Sequence, residues 1–238
     1  MLEIKNFSKS YVAGIKAVDN LNLTVNDGEI YGFIGHNGAG KSTTIKCVVG
    51  ALDFIDGEIL LDGLSIKNDA IAFKNKLAYI ADNPDIYDFM TGIKYLNFIA
   101  DVFAVSTQER TNLIKKYASA FELEGALGDV ISSYSHGMRQ KLALISALIH
   151  KPKLLVLDEP FVGLDPKASH TLKTIMRELT SNGSIIFFST HVLEVAEKLC
   201  DRVAIIKDGK LVVEGNMDEV TANSSLESVF LSLAQDGE

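Results

Sequence analysis

A glycine-rich segment followed by a lysine and a serine is the part of this sequence best suited to chemistry. It fits the pattern G-x-x-x-x-G-K-[ST] and comprises Gly35, His36, Asn37, Gly38, Ala39, Gly40, Lys41 and Ser42. Glycines let the chain turn tightly around an anion while backbone N–H groups point at phosphate oxygens. In this pattern the lysine reaches the β- and γ-phosphates, and the serine hydroxyl binds Mg²⁺. We therefore expect these residues, with Thr43 beside them, to bind a nucleotide.

The residues on either side supply the elements that must position this loop. An apolar run of strand type, residues 29–34, precedes it, and residues 43–49 are predicted to form a helix that Gly50 ends. A strand, a glycine loop and a helix in this order are the context in which the pattern binds phosphate. The alternative, a glycine-rich turn without function, is therefore the minor interpretation.

Two acids end a second strand run. Residues 154–157 are apolar throughout and lead into Asp158 and Glu159. Ligands of parallel sheets bind at the carboxyl ends of strands, so both acids are expected beside the glycine loop. We interpret Asp158 as a Mg²⁺ ligand, directly or through water, and Glu159 as the general base for the attacking water. A third run, residues 184–188, leads to His191, which is expected to hydrogen-bond the γ-phosphate or that water on the same edge.

The pattern of the whole chain favours an α/β fold. Apolar strand runs alternate with helical stretches, which is typical of a parallel sheet covered on both faces. Residues 1–30 and 57–63 are predicted as strands, the latter closed by an Asp-Gly turn. From about residue 87 to 149 the pattern is helical, and Leu142, Ile145 and Leu148 recur on one face.

Composition limits the function classes. The 238 residues can bury a substantial core, as one large domain or as two intertwined subdomains. A net charge of −8 argues against nucleic acid as a partner. No stretch approaches the roughly 18 consecutive apolar residues of a membrane span, and the N-terminus has no apolar signal core. Cys47 and Cys200 form no CxxC pattern, so we expect a reducing compartment, the cytoplasm.

A third motif, together with the first two, indicates a resemblance to a known family. Residues 134–142, Tyr-Ser-His-Gly-Met-Arg-Gln-Lys-Leu, open an amphipathic helix for which Ser135 is predicted as the N-cap. The order of this stretch, the glycine loop and the Asp158-Glu159 pair resembles the ATP-binding subunit of ABC transporters. The stretch is similar to that family's Leu-Ser-Gly-Gly-Gln signature, and the resemblance covers essentially the entire chain.

The resemblance implies one ABC ATPase domain over residues 1–238. Its fold is a P-loop NTPase core with a mostly parallel sheet, an antiparallel β subdomain and an α-helical signature subdomain. The implied division places the core and β subdomain at about 1–82 and 151–222. The helical subdomain then covers about 83–150, and a C-terminal helix covers about 223–238.

The resemblance also implies roles for single residues. Tyr11 matches the aromatic residue that stacks on adenine, and His191 matches the switch histidine. Asp165, within Gly163-Leu164-Asp165, matches the loop that touches the opposite subunit. Ser135 and Gly137 match signature positions that contact the γ-phosphate held by the partner subunit.

Two departures from the family pattern stand out. Asp82 replaces a glutamine that senses Mg²⁺ and water, so we expect it either to ligate the metal through water or to weaken metal sensing. In the signature, His136 and Met138 replace glycine and glutamine.

We therefore expect a cytoplasmic ATPase that uses ATP and Mg²⁺ and works as a pair with a second ATPase subunit, identical or different. It is expected to dock on a separate transmembrane permease at the inner face of the cell membrane, through about residues 83–105. The aromatic residues of that segment are mostly expected in the helix core: Tyr87, Phe89, Tyr95, Phe98 and Phe103. The tail, residues 226–233, and the signature variant resemble exporter-type (ABC-2-like) cassettes, so export is the expected direction.

Two other functions remain open. One is a soluble ABC-type ATPase of a non-transport assembly, such as iron–sulfur cluster biogenesis. The other is a regulatory module that binds nucleotide and hardly hydrolyses it, which the Asp82 and His136 departures slightly favour. Co-purification with an integral membrane protein would distinguish the first alternative from transport, and turnover dependent on Glu159 would exclude the second.

Overall fold

The computed structural model describes residues 1–12, 14–222 and 224–235. Its strands are β1 (Leu2–Val12), β2 (Ile15–Val25), β3 (Ile30–Ile34), β4 (Asp56–Leu61), β5 (Leu64–Ser65), β6 (Leu77–Ile80), β7 (Leu154–Asp158), β8 (Ile185–Thr190), β9 (Arg202–Lys207) and β10 (Lys210–Asn216). Its α-helices are α1 (Lys41–Val48), α2 (Ala70–Asn75), α3 (Gly92–Val102), α4 (Thr107–Ala120), α5 (His136–Leu148), α6 (Pro166–Ser181), α7 (Leu193–Leu199), α8 (Met217–Val220) and α9 (Leu226–Gln235). Short 3₁₀ helices span Glu124–Ala126 and Ile131–Ser133.

The central sheet has the strand order β10-β9-β3-β8-β7-β6. Its neighbours are parallel except β10 and β9, which confirms the predicted α/β fold with a mostly parallel sheet. Strand β3 lies between β8 and β9, with Ile34 opposite Thr190, while Asp158 of β7 lies opposite Ser189 of β8. The carboxyl ends of β3, β7 and β8 therefore meet at one edge, where loops can converge on a ligand.

A second, antiparallel sheet has the order β2-β1-β4-β5 and is the predicted antiparallel element. Strands β4 and β5 join through Asp62 and Gly63, both with positive φ, 50° and 78°. Positive φ at both central residues is typical of the type I′ hairpin turn, for which Asp-Gly is a preferred pair. The predicted turn is confirmed.

The core lies on both faces of the central sheet. Tyr31 and Phe33 of β3 pack toward the antiparallel sheet and α1. Ile30 and Ile34 of the same strand pack on the opposite side, in the cluster that includes α5 and α6. Alternate side chains of a strand point to opposite faces, and both faces here are covered. This explains why the strand runs are apolar without alternation.

The helical segment between β6 and β7 contains α3, α4 and α5. Leu142, Ile145 and Leu148 of α5 are buried, which confirms the predicted apolar face. The Ser135 hydroxyl accepts a hydrogen bond from the Met138 N–H (3.3 Å), so the predicted N-cap is confirmed. In the described part of the chain no helix is both long and apolar enough to cross a membrane.

The prediction that most aromatic residues of segment 83–105 are buried is wrong. Tyr95 is buried, but Tyr87, Phe89 and Phe98 are exposed. The Tyr87 ring contacts the rings of Phe89 and Phe98 at 5.8 and 5.7 Å between centroids, so the three form one surface group, named here the aromatic patch. Tyr87 and Phe89 precede α3, and helical periodicity does not govern which way residues of a loop face.

The C-terminal helix α9 ends at Gln235, while residues 223 and 236–238 of the predicted 223–238 helix lie outside the described residues. Leu226 at its start is fully buried, and its N–H donates to Glu197 of α7 (2.9 Å). Phe230 packs its ring against His36 of the glycine loop, with centroids 4.5 Å apart. The helix therefore lies beside the glycine loop.

Candidate active site

The glycine loop joins β3 to α1 and is held closely by neighbouring backbone. A Cβ atom at Gly35 would lie 2.5 Å from the Ile206 carbonyl, and one at Gly40 would lie 2.6 Å from the Ala17 carbonyl. Gly40 also has φ 108°, a conformation that side chains rarely tolerate. Glycine is therefore required at both positions by the packing of β9 and β2 against the loop.

Lys41 is the charged group at the centre of this loop. Its side chain is buried, 6% exposed, and Nζ donates to the carbonyls of Gly35 (2.6 Å) and His36 (3.2 Å). Burial lowers the pKa of Lys41, while the nearby Glu159 and Asp158 carboxylates oppose that shift. Burying a cation against neutral carbonyls is unfavourable unless an anion completes its surroundings. The two carboxylates are near Lys41 but form no ion pair with it in the described residues, and a phosphate group would be a direct anionic partner.

The first turn of α1 offers further donors. Its N-cap is Gly40, which has no side chain to accept hydrogen bonds from the first N–H groups of the helix. These groups open into a cleft of about 170 Å³ lined by Ala17, His36, Asn37, Gly38, Gly40, Lys41, Ser42 and Thr43. Pockets for whole small ligands usually measure about 300–1,000 Å³. The cleft is therefore the size for phosphates and not for an entire nucleotide.

Tyr11 provides an aromatic surface next to that cleft. Its hydroxyl lies 3.1 Å from the Thr43 hydroxyl, which connects β1 to the first turn of α1. The residue is 61% exposed, and Lys9 Nζ lies over its ring, 5.5 Å from the centroid. An exposed aromatic residue of this kind offers a surface on which a base can stack. Tyr11 therefore lies next to the glycine loop, although 24 positions separate it from Gly35 in the sequence.

The metal-binding candidates lie along the same edge of the sheet. Asp158 is buried at the end of β7, and the Ser189 hydroxyl donates to its Oδ1 (2.5 Å). Asp82 is exposed, two residues beyond β6. Burial raises the pKa of Tyr79 to about 12, and Asp158 and Asp82 both add to the shift, so both carboxylates lie near that ring.

These residues fit a magnesium ion. Within the described ranges no group of three or more His, Cys, Asp or Glu side chains could hold a metal by itself. Mg²⁺ commonly takes only one or two protein oxygens and completes its coordination with water and substrate phosphates. The Asp158 carboxylate and the exposed Ser42 hydroxyl are donors of that type.

Glu159 and His191 form a pair at the mouth of the site. Glu159 Oε1 lies 2.9 Å from His191 Nδ1, and the His191 N–H donates to Oε2 (3.3 Å). The backbone of Glu159 is left-handed, with φ 50°, and its N–H donates to the Ser189 carbonyl (3.2 Å). Strained backbone of this kind persists where surrounding contacts over-determine it, which occurs often at functional sites.

The signature residues lie apart from the phosphate cleft. Ser135 and Gly137 open α5, and neither lines the cleft around Lys41. The His136 ring lies against Gly163, where a Cβ atom would come within 2.8 Å of it.

Asp165 is engaged inside its own chain. Its carboxylate caps α6 by accepting from the Ala168 N–H (2.7 Å), and it pairs with Lys141 Nζ (2.7 Å). These contacts, Lys141 foremost, hold the pKa of Asp165 below its usual value. The carboxylate is therefore ionised at neutral pH and fixes the loop that begins at Gly163.

Two residues of the site were missed by sequence reasoning. Ser189 bonds both Asp158 and the Glu159 backbone, and Gln140 of α5 is buried against Pro160. Ser189 could have been found, because it ends an apolar strand at the same edge as His191. Gln140 carried no clear signal, because it lies between the charged residues Arg139 and Lys141 in the polar first part of α5.

Comparisons with known proteins agree with this geometry. Residues 18–162 match the ABC transporter family, ABC_tran. The chain is 35% identical over 239 residues to "Uncharacterized ABC transporter ATP-binding protein YhcH" of Bacillus subtilis (strain 168), covering 100% of this chain and 77% of that protein. It superposes on the solved ATP binding subunit of an ABC transporter with a TM-score of 0.95 at 32% identity, covering 98% of this chain and 99% of the other.

A second solved structure is cbiO1 from Clostridium perfringens, described as part of the ABC transporter complex cbiONQ. Its TM-score is 0.81 at 25% identity, covering 99% of this chain and 96% of the other. The family match covers more than half of the chain, and the 35% identity to YhcH extends over all of it. The chain belongs to the ABC transporter family, as an ATP-binding subunit that hydrolyses ATP.

Proposed function

We propose that this chain powers an ABC transporter as one of two ATPase subunits arranged head to tail. Each ATP lies between the glycine loop of one subunit and the signature helix of the other. The observation that carries the proposal is the meeting of Lys41, Asp158 and Glu159 at one sheet edge, whose cleft is too small for a whole nucleotide. A second subunit supplies the missing wall.

The proposed chemistry is attack of water on the γ-phosphate. Lys41 and the N–H groups of α1 balance the phosphate charge, and Tyr11 stacks on adenine. Glu159 accepts the proton of the attacking water, while His191 holds the carboxylate in place through the 2.9 Å contact. Such transfers depend mainly on positioning and electrostatic stabilisation, which these fixed groups provide.

Magnesium completes the charge balance of the site. Ser42 and Asp158 would hold the ion, with Asp82 close enough to act through water. The ion, when bound, supplies positive charge to the phosphate oxygens. The residues of the chain orient it: Ser189 fixes the Asp158 carboxylate by its hydrogen bond.

The partner's nucleotide is proposed to meet the start of α5. Ser135 and Gly137 present a helix N-terminus, whose N–H groups and dipole favour an anion. The loop at Asp165 lies beside α5 through the Lys141 pair and would touch the other subunit. ATP binding then closes the pair, and hydrolysis reopens it.

The aromatic patch supports docking on a permease. Tyr87, Phe89 and Phe98 are exposed together, and exposed apolar groups of this kind often mark protein interfaces. The cbiO1 protein is described as part of a larger transporter complex. We propose that this chain likewise sits at the cytoplasmic face of the membrane on a separate permease. Export is proposed because the tail at α9 and the signature variant resemble exporter-type cassettes.

Glu159→Gln tests the central assignment. It removes the base but keeps side-chain size, so turnover should fall by about 10²- to 10⁴-fold. ATP binding should persist, and an ATP-bound pair should accumulate in size-exclusion chromatography with light scattering. Glu194→Gln, an exposed carboxylate of α7 paired with Lys198, is the matched control and should leave turnover unchanged. Undiminished hydrolysis by Glu159→Gln would refute the assignment.

The membrane partner needs a separate experiment. Purification of the tagged chain in mild detergent should retain an integral membrane protein, and that protein's topology would then decide between export and import. Retention of soluble assembly factors alone would instead favour the non-transport alternative.

A further inference from the structure

Gln140 is a buried polar residue that none of the assigned roles uses. It lies in the second turn of the signature helix α5 and is 1% exposed. Its Nε2 donates to the backbone carbonyl of Pro160 at 3.1 Å. Pro160 directly follows Glu159, so this hydrogen bond connects the signature helix to the backbone of the proposed base.

The other end of the Gln140 amide faces a second part of the same loop. Oε1 is buried and has no hydrogen-bond partner among the described residues. A Cβ atom at Gly163 would lie 2.9 Å from it, so the oxygen packs directly against that glycine. A buried carbonyl oxygen without a partner lowers stability, and an apolar side chain of equal length would avoid the penalty. Packing alone does not explain a glutamine here.

The backbone that Gln140 holds is an unusual one. Glu159 has φ 50°, and its N–H donates to the Ser189 carbonyl on the β8 side (3.2 Å). The Val162 N–H closes the turn onto the Glu159 carbonyl (3.2 Å). Gln140 approaches the same turn from the side of α5. The backbone that carries the Glu159 carboxylate is therefore held from two directions, one from the sheet and one from the signature helix.

We propose that Gln140 is a positioning residue for ATP hydrolysis. Its amide couples the position of the signature helix to the position of the Glu159 carboxylate. The helix faces the partner's ATP, whereas the carboxylate acts on the chain's own ATP. This inference rests on the proposed role of Glu159. It adds that a single side chain, Gln140, connects the two ATP sites of the pair.

Gln140→Met is the first test, because methionine keeps the length, removes the donor and removes the unpartnered oxygen. Turnover should fall by roughly 10- to 100-fold, since small misplacement of a reacting group has effects of that size. The KM and Kd for ATP should stay within about twofold, as for a loss confined to the transition state. Ser146→Ala, which removes another buried polar group of α5 bonded within the helix (2.7 Å to the Ala143 carbonyl), is the control and should leave turnover unchanged.

Gln140→Glu should add a pH dependence of turnover that a general packing defect would not produce. Burial raises the pKa of a carboxyl group, and only its protonated form can donate to the Pro160 carbonyl. Turnover of this variant, relative to the unmodified chain, should therefore recover as the pH is lowered. A flat ratio across pH would contradict the proposal.

A double variant separates this inference from the proposed function. Gln140→Met should cause no further loss in the Glu159→Gln background, because residues acting through one group are not additive. Normal turnover of Gln140→Met beside an inactive Glu159→Gln would overturn the role of Gln140 and leave the base assignment intact. Normal turnover of Glu159→Gln would overturn both. A parallel loss of ATP affinity or melting temperature in Gln140→Met would show a packing defect and also overturn the proposal.

Discussion

The edge of the central sheet and the helical segment α3–α5 are built in opposite ways. At the sheet edge, Lys41 and Asp158 are buried and hydrogen-bonded within the chain. In the helical segment, the aromatic patch and the N-terminus of α5 at Ser135 are exposed. In the first region the buried Lys41 is hydrogen-bonded to neutral carbonyls, and we propose that the phosphates of ATP supply its anionic partner. The second presents apolar surface and, at Ser135, an exposed helix N-terminus that we propose other subunits cover.

This contrast follows from the elements that carry each region. Parallel strands fix their carboxyl ends by register, so loops leaving β3, β7 and β8 have little freedom. Helices packed on the outside of a core bury one face and leave the other to solvent. We infer that binding of phosphate is a property of one chain, whereas coupling to a partner is a property of the surface of the helical segment.

Lys41→Ala should have the largest effect on the sheet edge. It removes a charged donor from the centre of the phosphate cleft, and hydrogen bonds to charged groups contribute about 1.5–3 kcal/mol. ATP affinity measured by calorimetry should therefore fall by roughly 10- to 100-fold, with turnover reduced as well. Lys46→Ala, on the exposed face of the same helix, is the control. Unchanged ATP binding by Lys41→Ala would remove the basis of the comparison.

Phe89→Ser should act on the helical segment alone. Phe89 is 81% exposed, so the free energy of unfolding should change by less than about 0.5 kcal/mol. ATPase activity of the isolated chain should also be unaffected. Affinity for the membrane subunit should drop about 10-fold or more if the residue is an aromatic anchor. Ile71→Ser, equally exposed on α2, is the matched control; an equal loss with that variant would contradict a specific role for the aromatic patch.

His150 lies at the junction of the two regions, and its titration should have a smaller effect, on the stability of the fold. Its ring stacks on Phe103 (3.7 Å), and Nε2 lies 3.0 Å from the Leu77 carbonyl. Burial lowers the pKa of His150 from 6.5. The unfolded chain therefore binds a proton first as pH falls, and the folded state loses stability from about pH 6.5 downward until the folded pKa is passed.

The matching variant is His150→Gln, which keeps a donor for Leu77 but does not titrate. Between pH 7.5 and 5.5 the unmodified chain should lose up to about 1.4 kcal/mol more stability than the variant, the limit for one pH unit below the unfolded pKa. Urea unfolding at both pH values measures the difference. Equal pH dependence of both proteins would show that the histidine is not held neutral at this junction.

Much of the site could be predicted because its signals are local. The glycine loop needs residues 35–42 alone, and an apolar strand ending in acids identifies Asp158 and Glu159 without any tertiary information. Prediction failed for the aromatic patch because the burial of Tyr87 and Phe89 in a loop, and of Phe98 on one face of α3, depends on what packs over them. Gln140 was missed for a related reason, since its partner at Pro160 is 20 positions away and joined to it only by the fold.

The amino-acid sequence by itself determined which chemical groups are present: a glycine loop with a lysine, of a type that suits phosphate, and two acids at the end of an apolar strand, of a type that suits a metal or a base. Those properties depend on short patterns and on the period of side chains along a strand. Only the tertiary structure decided which groups touch. The Glu159–His191 pair, the Ser189 bond to Asp158 and the Gln140 bond to Pro160 join distant positions, and such contacts arise from strand register and helix packing that no short pattern encodes.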